Sequence, residues 1–207
     1  MAGTAARWLK VLFVLNILDV LAGILKQVQL AEVAMPLYWA GTALGLVNMM
    51  GELIALLKLS PESGDYRRAA VYSVVSLVLI AAFYLQPVFY LPPKSAESAL
   101  VFLLVRLALG LAVIIMSALS LYYEVKGHTW ILRGLDDRLA QNWRTIGRLI
   151  AATMIVWVSA MLLAALVLWL GRVVMLALMV GVIALGIWRL VCLYSTVQAV
   201  KRLAAQG

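Results

Sequence analysis

The stretch ALVFLLVRLALGLAVIIMSALSLYY, residues 99–123, decides the class of this chain, because it holds a single charged residue, Arg106, in 25 positions. At 1.5 Å of rise per residue, a helix of that length outspans the roughly 30 Å hydrocarbon core of a bilayer. Five further segments of similar character surround it: Leu9–Leu25, Leu37–Leu57, Ala69–Leu91, Ile146–Leu170 and Val173–Thr196. Hydrophobic residues make up 66% of the 207 positions and charged residues 13%, whereas soluble domains carry about 45–50% and about 25%. The expected fold is therefore all-α: one polytopic membrane domain over residues 1–207, with six transmembrane helices arranged as three in-out-in hairpins. Arg7 and Lys10 before a short apolar run also suit a signal peptide. Asn16 and Asp19 interrupt that run and no small-residue cleavage site follows, so the first segment reads as a retained helix.

Charge distribution sets the expected orientation. With the N-terminus inside, Arg7, Lys10, Lys58, Arg67, Arg68, Lys126, Arg133, Arg138, Arg144, Arg148, Lys201 and Arg202 share one side, against Lys26, Lys94 and Arg172 on the other. Such a bias places both termini in the cytoplasm, in a plasma or bacterial inner membrane. The formal net charge of +8 flanks apolar segments instead of forming a basic domain, so it points to anionic lipid at the cytoplasmic face and not to nucleic acid. The outer connections are short: residues 26–36, residues 92–98, and little more than Gly171 and Arg172 between the last two spans. The tetrapeptide ALGL at 43–46 and 108–111, with ALGI at 184–187, falls once in each even-numbered span. Residues this common in membrane helices recur without implying a repeat.

Ionisable residues at bilayer depth cost about 2.5–3.5 kcal/mol each on insertion scales, so they face protein or water and have partners. In the first span Asn16, Asp19, Gly23 and Lys26 share a helix face. In the second, Gly41, Gly45, Asn48 and Glu52 do, so that a GxxxG surface continues into a polar pair. Arg106, Gly110, Ser117 and Ser120 lie on roughly one face of the fourth span, and Arg189 lies near the inner end of the sixth. Gly41, Gly45 and Gly110 are the expected helix-packing positions. Matching depths along the helices pairs Asp19 with Arg106 near the midplane and Glu52 with Arg189 in the inner third. These pairs either lock helices together or form a pathway for an ion or small solute.

The most polar stretch is GHTWILRGLDDRLAQNWRTIGRLI, residues 127–150. Leu135, Leu139, Trp143 and Ile146 recur at helical spacing, which predicts an amphipathic interfacial helix over 135–146 leading into the fifth span. Gly134 is the expected stop before it, and Asp136 or Asp137 the expected cap. Trp130, Arg138, Trp143, Arg144 and Arg148 are placed at the lipid interface or against a partner. His128 with Asp136 and Asp137 lacks the spacing of a metal site, and one cysteine, Cys192, allows neither an intramolecular disulfide nor a CxxC site. No GxSxG, HExxH or GxxxxGKS motif is present.

With no catalytic constellation, no cofactor motif and no extramembrane domain, the expected role is non-enzymatic: a structural or accessory subunit of a larger membrane assembly, or a self-associating protein. The alternative is a small homo-oligomeric transporter or channel working through Asn16, Asp19, Asn48, Glu52 and Arg106.

Overall fold

In a computed structural model of the chain, the structure describes residues 2–27, 34–89, 96–166 and 168–206. They form six α-helices: α1 (Ala2–Gln27), α2 (Ala34–Leu59), α3 (Gly64–Phe89), α4 (Ala96–Leu132), α5 (Asp137–Leu166) and α6 (Leu168–Gln206). Among the described residues there is no strand. Among the described residues four helices are long and apolar enough to cross a membrane, over Trp39–Leu59, Gly64–Phe83, Ser98–Leu132 and Val180–Ala205.

Local chemistry sets the boundaries that separate these helices. After α2, Pro61 follows the last turn, and Ser63 restarts the chain by accepting the Asp65 N–H on its Oγ at 3.2 Å, the side-chain service an orphan helix donor needs. Gly134, at φ +76°, ends α4; only glycine takes that left-handed conformation at little cost. Asp136 then accepts the Leu139 N–H on Oδ1 at 2.9 Å and caps α5.

Each helix packs on its neighbours in sequence, and α1 also packs on α6, which closes a ring. The α3–α4 pair shows the antiparallel register directly: Ser73 meets Ser120 at 2.7 Å and, one turn on, Ser76 meets Ser117 at 2.8 Å. The buried apolar core gathers at one end of this ring, where the turns at 60–63 and 133–136 lie. It is built from Leu9 and Leu12 of α1, Leu56 and Leu59 of α2, Ala69 and Ala70 of α3, Val125 and Leu132 of α4, Trp143 and Ile146 of α5, and Leu193 and Val200 of α6. Beyond that end many of the described apolar side chains are exposed. Val47 is 69% exposed, Leu103 61%, Ile155 69% and Val180 69%, a display that suits hydrocarbon and not water.

Two expectations change here. The amphipathic segment at 135–146 is not a separate interfacial helix: α5 starts at Asp137 and runs unbroken through it to Leu166. Leu139, Trp143 and Ile146 face the core, because α4 continues past Tyr123 to Leu132 and offers them a protein surface to cover. The connection expected at Gly171 and Arg172 lies within α6, which begins at Leu168; a glycine beside an arginine does not break a helix with apolar turns on both sides. The outer connections at 26–36 and 92–98 fall largely outside the described residues.

Candidate functional site

Two polar features lie between the helices of the ring, one at the turn end and one next to it. The first is built on α4, where Glu124 and His128 stand one turn apart on the same face. Arg189 of α6 donates through Nη2 to Oε1 and Oε2 of Glu124, each at 2.8 Å. His128 Nε2 lies 3.3 Å from Glu124 Oε1, and its Nδ1 lies 2.8 Å from the Tyr66 hydroxyl. The roles are consistent with one tautomer: Nε2–H donates to the carboxylate while Nδ1 accepts from the tyrosine O–H. The result is a continuous chain from Tyr66 through His128 and Glu124 to Arg189.

The aromatic surroundings hold this chain in place. Trp143 packs against the imidazole with ring centroids 4.4 Å apart, and Tyr66 meets it edge-on at 5.5 Å. The Trp143 Nε1–H donates to Thr196 Oγ1 at 2.9 Å, and that hydroxyl passes its own proton to the Cys192 carbonyl at 2.8 Å. Tyr66, His128, Trp143 and Thr196 are all fully buried. Gly127 makes the approach of α3 possible: a Cβ there would stand 2.8 Å from two Tyr66 ring carbons.

The second feature is a cavity of ≈ 590 Å³ between α1, α2, α3 and α4. Asp19, Asn48, Glu52 and Ser117 supply polar walls, and Met49, Ile80, Phe83 and Val113 supply apolar ones. Serines connect the cavity to the turn end, because Ser117 bonds Ser76 and, a turn below, Ser120 bonds both Ser73 and the Ala69 carbonyl at 2.9 Å. Glu52 lies within electrostatic reach of Arg189, Glu124 and Asp19. Asn48 is 2% exposed, and its Oδ1 accepts no hydrogen bond among the described residues. A second hollow of ≈ 540 Å³, between α5 and α6, is apolar and includes Leu149, Val156, Ala177, Gly181 and Ala184.

The partners expected from matched depths are replaced by others. Arg189 is held by Glu124 and not by Glu52. Arg106 is exposed and lies over the Phe83 ring at 4.9 Å, and it makes no ion pair with Asp19 among the described residues. Equal depth did not make neighbours, since α1 contacts chiefly α2 and α6 while α4 lies across the ring. Asn16 is satisfied within its own helix, donating Nδ2–H to the Leu12 carbonyl at 2.9 Å. Of the expected packing glycines, Gly41 is buried and Gly45 lines the cavity. A Cβ on Gly110 would meet Phe83 only at an ordinary 3.7 Å, and the close approaches are at Gly51, Gly127 and Gly147. Trp143 is buried, not interfacial, whereas Trp130, Arg138, Arg144 and Arg148 are exposed.

Tyr66, Glu124, His128 and Thr196 were not singled out together from the sequence. The i, i+4 spacing of Glu124 and His128 was the available signal, and it becomes meaningful only once α4 is known to extend through both. Among the described residues no group of three or more His, Cys, Asp or Glu side chains is placed to hold a metal ion. Comparison of the chain with protein families, with curated proteins and with solved structures finds no match.

Proposed function

We propose that this chain is a six-span membrane protein, with both termini in the cytoplasm, that moves a small cation through the polar interior of its helix ring. One observation carries the reading: exposed Asp19 and half-buried Glu52 line one cavity between the helices and form no ion pair among the described residues. Arg189, a guanidinium within electrostatic reach of both, already gives Nη2 to both oxygens of Glu124. A carboxylate without a partner inside a membrane is costly to keep for structure alone. It suits a transient counter-ion, while the hydrogen-bonded Tyr66–His128–Glu124–Arg189 chain would close the ring at the cytoplasmic end. Exposed Trp130, Arg138, Arg144 and Arg148 would meet anionic headgroups there.

The test is flux. Protein reconstituted in liposomes is expected to move a monovalent cation, with Asp19→Asn and Glu52→Gln each reducing the rate by at least about tenfold. Unchanged flux in both variants, or none above empty liposomes in wild type, would sink the proposal.

A second reading, an accessory subunit of a larger assembly, draws on the α5–α6 hollow. Its small residues Ala177, Gly181 and Ala184 suit close approach by another helix. Native mass measurement after mild-detergent purification tests it; a chain that runs alone or only with copies of itself removes that reading.

A further inference from the structure

We infer that the cavity between α1 and α4 binds an organic primary ammonium group carried on an apolar body, with Asp19 and Glu52 as its counter-ions and Asn48 Oδ1 as an acceptor of one ammonium hydrogen. This deepens the transport reading by naming the ligand class of the same cavity, and binding can be measured where no flux occurs.

Three independent observations converge on that chemistry. The charge balance is the first. Three carboxylates, Asp19, Glu52 and Glu124, lie within electrostatic reach of Arg189, but that guanidinium is bonded through one nitrogen to both oxygens of Glu124. Arg106 of α4 is exposed and lies over the ring of the cavity-lining Phe83 at 4.9 Å, and it forms no ion pair with either carboxyl group among the described residues. Two carboxyl groups therefore line the cavity, and the guanidinium within reach of both is bonded through Nη2 to Glu124.

Asn48 supplies the second. Its Oδ1 is a buried acceptor with no donor among the described residues, and leaving such an atom unbonded costs about 1–3 kcal/mol. It stands one turn from Glu52 on α2, on the same face. A donor is what is missing, and an ammonium group brings three. Carboxylates with an amide oxygen would serve a bare metal ion as well, so the third observation decides between them. At ≈ 590 Å³ the cavity is far larger than an ion, and Met49, Ile80, Phe83 and Val113 wall most of the remainder. Organic ligands occupy sites of about 300–1,000 Å³ built this way, mostly apolar with a few polar groups fixing orientation. The ammonium head thus belongs at Asp19, Asn48 and Glu52, and the apolar body against Phe83 and Ile80.

Equilibrium dialysis of the full chain in detergent against radiolabelled 2-phenylethylammonium tests this. Saturable binding is expected. Asp19→Asn and Glu52→Gln should each weaken it by about tenfold or more, equivalent to about 1.4 kcal/mol. Asn48→Leu should weaken the primary ammonium more than its N-trimethyl analogue, which has no N–H to offer. Neutral 2-phenylethanol and anionic 3-phenylpropionate should not compete. Exclusion of a thiol dye from buried Cys192 shows that each variant is folded. The same ammonium chemistry could arrive on a free solute or on a phosphatidylethanolamine headgroup. Native mass spectra of protein reconstituted with phosphatidylethanolamine or phosphatidylcholine separate them: one retained phosphatidylethanolamine displaced by the probe identifies the lipid, and none identifies the solute. Absence of saturable binding, binding unaffected in folded Asp19→Asn/Glu52→Gln protein, or equal competition by the neutral alcohol would overturn the inference. Binding without cation flux would instead remove the transport reading and leave this one standing.

Discussion

Replacing Glu124 by glutamine tests whether the buried chain at the turn end holds the ring together. The carboxylate side chain is 7% exposed and Arg189 is 21% exposed, and the two meet through a pair of 2.8 Å contacts. Removing one member of a buried ion pair costs about 3–5 kcal/mol, because the other charge is left uncompensated. Glutamine keeps one carbonyl acceptor and a fifth of the arginine side chain reaches the surface, so the lower end applies, about 3 kcal/mol. For a chain of this size each kcal/mol lowers Tm by about 2–4 °C, giving a fall of about 6–12 °C. Arg189→Met should fall by less, since His128 Nε2 remains within 3.3 Å of the orphaned carboxylate. The double variant removes both charges and should be more stable than the two losses added, by about 2 kcal/mol. The assay is thermal unfolding in detergent, followed by circular dichroism and by a maleimide dye on Cys192, the one cysteine in the chain, which is 2% exposed. Additive losses in the double variant, within about 0.5 kcal/mol, would refute the reasoning.

Two further outcomes follow from the same geometry. Gly127→Ala puts a methyl 2.8 Å from the buried Tyr66 ring, which His128 holds by a hydrogen bond. It should cost about 1–3 kcal/mol, while Gly110→Ala, with 3.7 Å to Phe83, should be neutral or gain about 0.5–1 kcal/mol from helix propensity; equal losses in thermal unfolding would contradict the contact. Trp143→Phe keeps a ring against His128 but loses the bond to Thr196 and part of the buried volume, for about 1–3 kcal/mol. An interfacial tryptophan would give a change within about 0.5 kcal/mol, so the size of the Tm shift decides where Trp143 sits.

Composition and periodicity settled the parts of this protein that depend on one helix at a time. Residues 99–123 could only be a helix in an apolar surrounding, because every backbone polar group must be satisfied inside the segment. Gly134 and Asp136 announced a stop and a start because their roles need only φ and a local oxygen. Asn48 and Glu52 were legible as sharing one face of α2 for the same reason: their spacing defines it. Helix periodicity says which way a side chain points, but not which helix it meets. The pairing of Arg189 with Glu124, the seat of Arg106 over Phe83 and the burial of Trp143 were therefore decided by the order of helices around the ring. His128 shows the distinction most directly. In the sequence it is a lone histidine in a polar stretch, and it becomes the centre of a buried network because α3 brings Tyr66 and α5 brings Trp143 to the extended end of α4.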